Sequence, residues 1–121
     1  MTARAMTPLG VRLRELRRRK GVTQTGMAAA LEVTPAYLSA LERGQRGRPT
    51  ALRLHQICAY FDLIWDEADD LMRLAALSRP RVTVDTAGLG PGATELANRL
   101  AERIATLKPA EIDRLLRVLR G

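Results

Sequence analysis

Gly21 to Gly44 read GVTQTGMAAALEVTPAYLSALERG, two short helical patterns with almost nothing between them. Gly21 stops whatever helix precedes it. Thr23 supplies a capping hydroxyl for a second helix that carries Met27, Ala28 and Leu31 on one side and ends near Glu32. Val33 leads into Thr34-Pro35, a cap followed by proline at the first helical position. A third helix then runs through Tyr37, Leu38 and Leu41 toward Gly44. A helix, a very tight turn and a second helix are predicted.

Upstream, Thr7 caps and Pro8 opens a first helix whose Leu9, Leu13 and Leu16 recur at helical spacing. Downstream, residues 44–50 form a loop. Pro49-Thr50 begin a fourth helix with Leu54, Ile57, Cys58 and Phe61 inward. A fifth helix fits Asp66 to Ser78, with acidic residues in its first turns and Leu71, Leu74, Ala75 and Leu77 available for burial, and Pro80 closes this module. Residues 81–86 alternate in polarity and leave room for a short strand. Gly88 to Gly92 read as a flexible connection, because no strand-glycine-helix unit surrounds them as a phosphate cradle requires. Two amphipathic patterns follow, Leu96, Leu100, Ile104 and Leu107, then Ile112, Leu115, Leu116 and Leu119, separated by Lys108-Pro109. They make a helical hairpin.

The composition agrees with an all-α chain. Of 121 residues, four are aromatic (Tyr37, Tyr60, Phe61 and Trp65), whereas strands draw on aromatic and β-branched residues. The single cysteine, Cys58, excludes an internal disulfide and any multi-thiolate site. His55 stands one turn from it, but two candidate ligands without partners make no metal site. Asp66, Glu67, Asp69 and Asp70 read as helix-start electrostatics, since the loop of a calcium site is missing. With one His and one Cys, no nucleophile, base and orienter can be assembled, so no enzyme and no cofactor are expected. No apolar run approaches the roughly 20 residues of a membrane span, and the N-terminus lacks the core of a signal peptide. A cytoplasmic protein is expected.

Charge is the stronger functional signal. The net charge is +7, and residues 1–50 hold ten basic groups against three acidic ones, so the whole excess lies there. A concentrated basic face suits a polyanion, because each neutralised phosphate releases counterions. Arg17-Arg18-Arg19-Lys20 alone could equally be a solvated helix end meeting the negative pole of the macrodipole.

The residues Leu9 to Arg17, Gly21-Val22-Thr23-Gln24, Met27-Ala28, Val33 to Gly44 and Pro49-Thr50 together resemble the lambda-repressor-like (Cro/C1-type, Xre family) helix-turn-helix domain. The resemblance covers about two-thirds of the chain. It implies a five-helix DNA-binding domain over 1–79 and a recognition helix over 34–43 lying in the major groove of double-stranded DNA. It places base contacts at Thr34, Pro35, Ala36 and Tyr37, and backbone contacts at Arg12, Arg18, Gln24, Thr25, Ser39 and Arg43. Gln24 matches the family glutamine that touches a phosphate and supports the third helix. Pro35 and Ala36 depart from the polar base readers often found there, and offer only apolar contact to a thymine methyl. Gln45, Arg46 and Arg48 form a basic loop. Arg46-Gly47-Arg48-Pro49 has the order of an AT-hook core, so minor-groove insertion stands beside the expected phosphate contact. Glu42 is expected to pair with an arginine of the first helix.

Residues 80–93 read as a linker or strand and 94–121 as a helical dimerisation element built on Leu96, Leu100, Ile104, Leu107, Ile112, Leu115, Leu116 and Leu119. The expected function is that of a homodimeric, sequence-selective DNA-binding transcriptional regulator, most simply a repressor. The alternative is an antitoxin or other protein-interaction module that also controls its own operon.

Overall fold

A computed structural model describes residues 6–46 and 48–121 of the chain. The described residues are helical, with seven α-helices and one short 3₁₀ turn. They fall into two compact units divided between Val82 and Thr83.

In the first unit the helices are α1 (Pro8–Lys20), α2 (Gln24–Leu31), α3 (Pro35–Glu42), α4 (Ala51–Tyr60) and α5 (Trp65–Ala76). Four of the five begin as their sequences dictate. Thr7, Thr23, Thr34 and Thr50 sit in extended backbone, and each hydroxyl accepts from the amide three residues on, at 2.9 to 3.1 Å. These bonds satisfy donors that a helix start would otherwise leave unpaired. Between α2 and α3 only Glu32, Val33 and Thr34 intervene. Glu32 makes the reversal in the left-handed region, at φ 59°, a conformation more often given to glycine or asparagine.

One face of each helix supplies the core. Leu9, Leu13 and Leu16 of α1 meet Met27 and Ala28 of α2, Leu38 and Leu41 of α3, Leu54, Ile57 and Cys58 of α4, and Leu71 and Ala75 of α5. Leu9, Leu13 and Leu16 follow the helical repeat, so one stripe of α1 is enough to seat α3 and α5 against it. Helix α5 runs antiparallel to α1. The Leu9 amide donates to Ser78 Oγ at 2.8 Å at one end, and Arg19 pairs with Glu67 at 3.5 Å at the other. Phe61 is half-buried and Leu77 is exposed, so the inward faces of α4 and α5 are narrower than their apolar spacing suggests. The α4–α5 corner carries Ile64 and Trp65 outward, the indole at 81 % exposure.

The tightest junction lies between α1 and the end of α3. The Glu42 carbonyl accepts from the Thr7 amide at 3.0 Å and from the Thr7 hydroxyl at 3.1 Å. A Cβ on Gly10 would stand 2.1 Å from that same carbonyl oxygen, so only glycine permits the approach. Below it, the Glu42 carboxylate is 2 % exposed in residue terms and bonded to the guanidinium of Arg17, itself buried. Gln24 Nε2 donates to the other carboxylate oxygen at 3.4 Å.

The second unit holds α6 (Pro91–Arg103), a 3₁₀ turn over Ile104–Thr106, and α7 (Pro109–Arg120), which together make the expected hairpin. Neither helix buries a residue. The strand considered at 81–86 does not form. Residues 82–86 have no regular secondary structure, Val82 and Val84 are exposed, and no neighbouring strand lies among the described residues to pair with them. Two valines cannot stabilise a strand whose amides and carbonyls have no ladder to join.

Two expectations follow from the α1–α3 junction. Gly10→Ala should cost about 3 kcal/mol, the upper end for overpacking, read from urea unfolding; a loss near zero would show that α3 can yield. Arg17→Ala or Glu42→Ala should each cost about 3–5 kcal/mol, because the surviving charge is left enclosed, whereas Arg17→Met together with Glu42→Leu should regain most of that loss.

Candidate nucleic-acid interface

Helix α3 has one face locked and one face free. Leu38, Leu41 and Glu42 are buried, while Thr34, Pro35 and Ala36 are exposed at its leading end. The cap sets this orientation: Thr34 Oγ1 accepts from the Tyr37 amide at 3.0 Å, which leaves the hydroxyl proton free to donate outward. Of the four residues assigned to base contact, Thr34, Pro35 and Ala36 thus lie together on open surface. Tyr37 is different. Its side chain is half-buried against the core, and it turns toward the loop and α4.

Around that ring the structure gathers two cations. Arg46 of the loop has its Cζ 5.0 Å from the Tyr37 ring centroid, and Arg53 of α4 has its Cζ at 5.6 Å. Both lie within reach of the attraction between a guanidinium and the face of an aromatic ring. An open groove lined by Val33, Ala36, Ala40 and these two arginines adjoins α3. The sequence reading overlooks Arg53 and Ala40. Arg53 stands beside buried Leu54 and four residues before buried Ile57, so the repeat that places those two inward also puts Arg53 at the edge of the inward face.

The expected backbone contacts divide into several kinds. Arg18 and Thr25 are exposed, and Arg18 has no acidic partner among the described residues. Arg12 is half-exposed and within 3.7 Å of Glu15 one turn on, a contact of little energetic weight at the surface. Gln24 is engaged with Glu42, to whose carboxylate its Nε2 donates. Ser39 and Arg43 are brought together: Arg43 Nη1 donates to Ser39 Oγ at 2.5 Å, while Arg43 Nε is enclosed with no acceptor. Gln45, Arg46 and Arg48 are exposed, and Gly47, at the centre of the AT-hook-like run, lies outside the described residues.

The basic cluster at the end of α1 is largely turned to internal use. Arg17 is buried against Glu42, Arg19 faces Glu67, and Lys20 Nζ lies 4.9 Å from the Tyr60 ring centroid. Arg18 remains for an outside partner. Glu42, expected to pair with an α1 arginine, does so with Arg17.

His55 is exposed and Cys58 buried, so they do not converge on a shared site. Burial pushes the Cys58 thiol above its ordinary range, which keeps it protonated and unreactive at neutral pH. No helix among the described residues is long and apolar enough to cross a membrane.

No curated protein and no solved structure matches the chain. The family described as "Helix-turn-helix domain" matches residues 8–71, which spans α1 through the buried Leu71 of α5 and is more than half of the chain. With its short second and third helices, its three-residue turn and its exposed third-helix edge inside that match, the chain belongs to the helix-turn-helix domain family, whose implied partner is DNA.

Proposed function

We propose that the chain is a sequence-selective transcriptional regulator of the lambda-repressor-like kind, a repressor that occludes its promoter as a homodimer with residues 34–43 in the major groove. The observation that carries this reading is the division of α3 into a buried face and an exposed leading end. Thr34, Pro35 and Ala36 meet base edges, with Thr34 as donor and the other two as apolar contacts to thymine methyls. Arg18, Thr25, Ser39, Arg43 and the loop cations Arg46 and Arg48 hold phosphates. The enclosed, unpartnered Nε of Arg43 favours this, because a phosphate that draws the side chain outward gives that donor an acceptor in exchange for the one bond to Ser39 Oγ. With so few polar readers at the tip, part of the sequence preference comes from DNA shape.

One such domain covers one half-site, and a two-fold dimer covers two, about 34 Å apart or a multiple of that. The second unit supports dimerisation because its apolar side chains have no cover of their own: Leu96 is 60 % and Leu119 74 % exposed, and Ile104, Ile112 and Leu115 are exposed as well. Leu100, Leu107 and Leu116 are only half-buried. Two helices of 13 and 12 residues are marginal in water without tertiary packing.

Binding of the purified chain to a labelled duplex from its own upstream region tests the first part. Ala36→Glu should weaken specific binding about tenfold or more, the worth of a lost base contact plus a misplaced charge, with an unchanged melting temperature because residue 36 is exposed. Full affinity in that variant would remove α3 from the groove. Mass in solution tests the second part. The full chain should be a dimer and its Leu115→Asp, Leu119→Asp variant a monomer; a variant that stays dimeric, or an unmodified chain that is monomeric, overturns the assignment.

A further inference from the structure

Two guanidinium groups share one tyrosine ring, and neither faces a carboxylate among the described residues. Arg53 is the better anchored. Its Nη1 donates to the Leu31 carbonyl at 3.3 Å and to Gln56 Oε1 at 2.9 Å, so it is tied to the end of α2, to α4 and, through Tyr37, to α3. The Leu31 carbonyl belongs to the last turn of α2, where carbonyls need partners from outside the helix. Arg53 thus meets a need of the helix-turn-helix unit with one nitrogen. Its Nε and Nη2 hydrogen-bond to nothing among the described residues, and Arg46, which is exposed to water, makes no hydrogen bond to them either.

Like charges brought to one ring repel each other, and the attraction of each guanidinium to the ring offsets that only in part. An anion lodged between them offsets the repulsion and takes up donors otherwise left to water. The neighbouring walls, Val33, Ala36 and Ala40, are small and apolar, so they leave room beside the recognition helix without competing for the charge. The geometry points to a shared phosphate seat: Arg53 and Arg46 together grip one phosphodiester group of bound DNA, and Tyr37 serves as their platform through its ring rather than as a base reader through its hydroxyl. This inference rests on the DNA-binding reading above. It makes Arg53 a DNA contact on α4, outside the two helices of the motif, and makes it set the register at which Thr34 and Ala36 reach the bases. Arginine is required there, because its planar fork can hold Leu31 and a phosphate together, which an ammonium cannot do equally well.

The test is a salt titration of the full-length protein on a duplex from its own upstream region, with melting temperatures recorded in parallel. Arg53→Ala should lower affinity about tenfold or more near 0.15 M salt, and reduce the slope of log K against log salt by up to about 0.9, the share of one phosphate. Arg53→Lys should recover only part of the affinity. The Arg46→Ala, Arg53→Ala double variant should lose about 0.9 in slope, not about 1.8, because the two side chains neutralise the same group. Tyr37→Leu should lose affinity and slope together, and more of both than Tyr37→Phe, which keeps the ring on which the two arginines rest. An Arg53→Ala protein that melts lower with its slope intact would make Arg53 structural only and overturn the seat. So would a double variant that loses about 1.8, or a Tyr37→Phe protein as impaired as Tyr37→Leu. An unmodified chain that binds no duplex would instead overturn the DNA reading itself.

Discussion

The carboxylate and carbonyl of a single residue, Glu42, hold α3 in place. The side chain reaches Arg17 of α1 and Gln24 of α2, and the carbonyl reaches Thr7 ahead of α1. Three parts of the domain thereby converge on the last residue of α3. A buried charge pair is an uncertain source of net stability, since the desolvation of both groups opposes their attraction. What it supplies here is geometric definition. Apolar contacts alone would tolerate a small rotation of α3 about its axis, whereas hydrogen bonds to both ends of Glu42 fix which residues face outward. Gly10 belongs to the same device, because its missing side chain is what lets the carbonyl come so close.

The arginines of the basic N-terminal half have two different duties that no charge count separates. Arg17 is a structural counter-ion, Arg19 meets the acidic start of α5, and Lys20 rests on Tyr60. The cations without an acidic partner among the described residues are more dispersed, among them Arg14 and Arg18 on α1, Arg43 at the end of α3, Arg46 and Arg48 in the loop, and Arg53 on α4. Such a spread suits a duplex, whose phosphates lie along two rails on either side of a groove rather than at one point.

The elements of the first unit are readable in the sequence because their signals are local. A threonine placed three residues before the amide it caps, a proline at the first helical position and leucines at helical spacing need no knowledge of the rest of the chain. Glu42 is readable for another reason, since a carboxylate on the inner side of a helix in a basic neighbourhood must find a cation. The partner's identity is not readable: Arg14, Arg17 and Arg18 differ only in which face of α1 meets α3. The same limit applies to Arg53, whose importance depends on where the loop returns α4 relative to Tyr37. At 81–86 the alternation of Val82 and Val84 matches a strand locally, but strand formation depends on a neighbour that periodicity cannot supply. In the hairpin the apolar stripes are visible, whereas their exposure in the second unit is apparent only from coordinates.

The position of Trp65 gives the molecule a reporter of its own. It is the only indole in the chain and stands in water at the α4–α5 corner, on a residue separate from the exposed tip of α3. Its emission in the folded protein should already resemble that of free tryptophan, so melting the domain changes the colour little. Any shift toward the blue therefore records something settling over that corner, and the spectrum follows encounters there rather than the integrity of the fold.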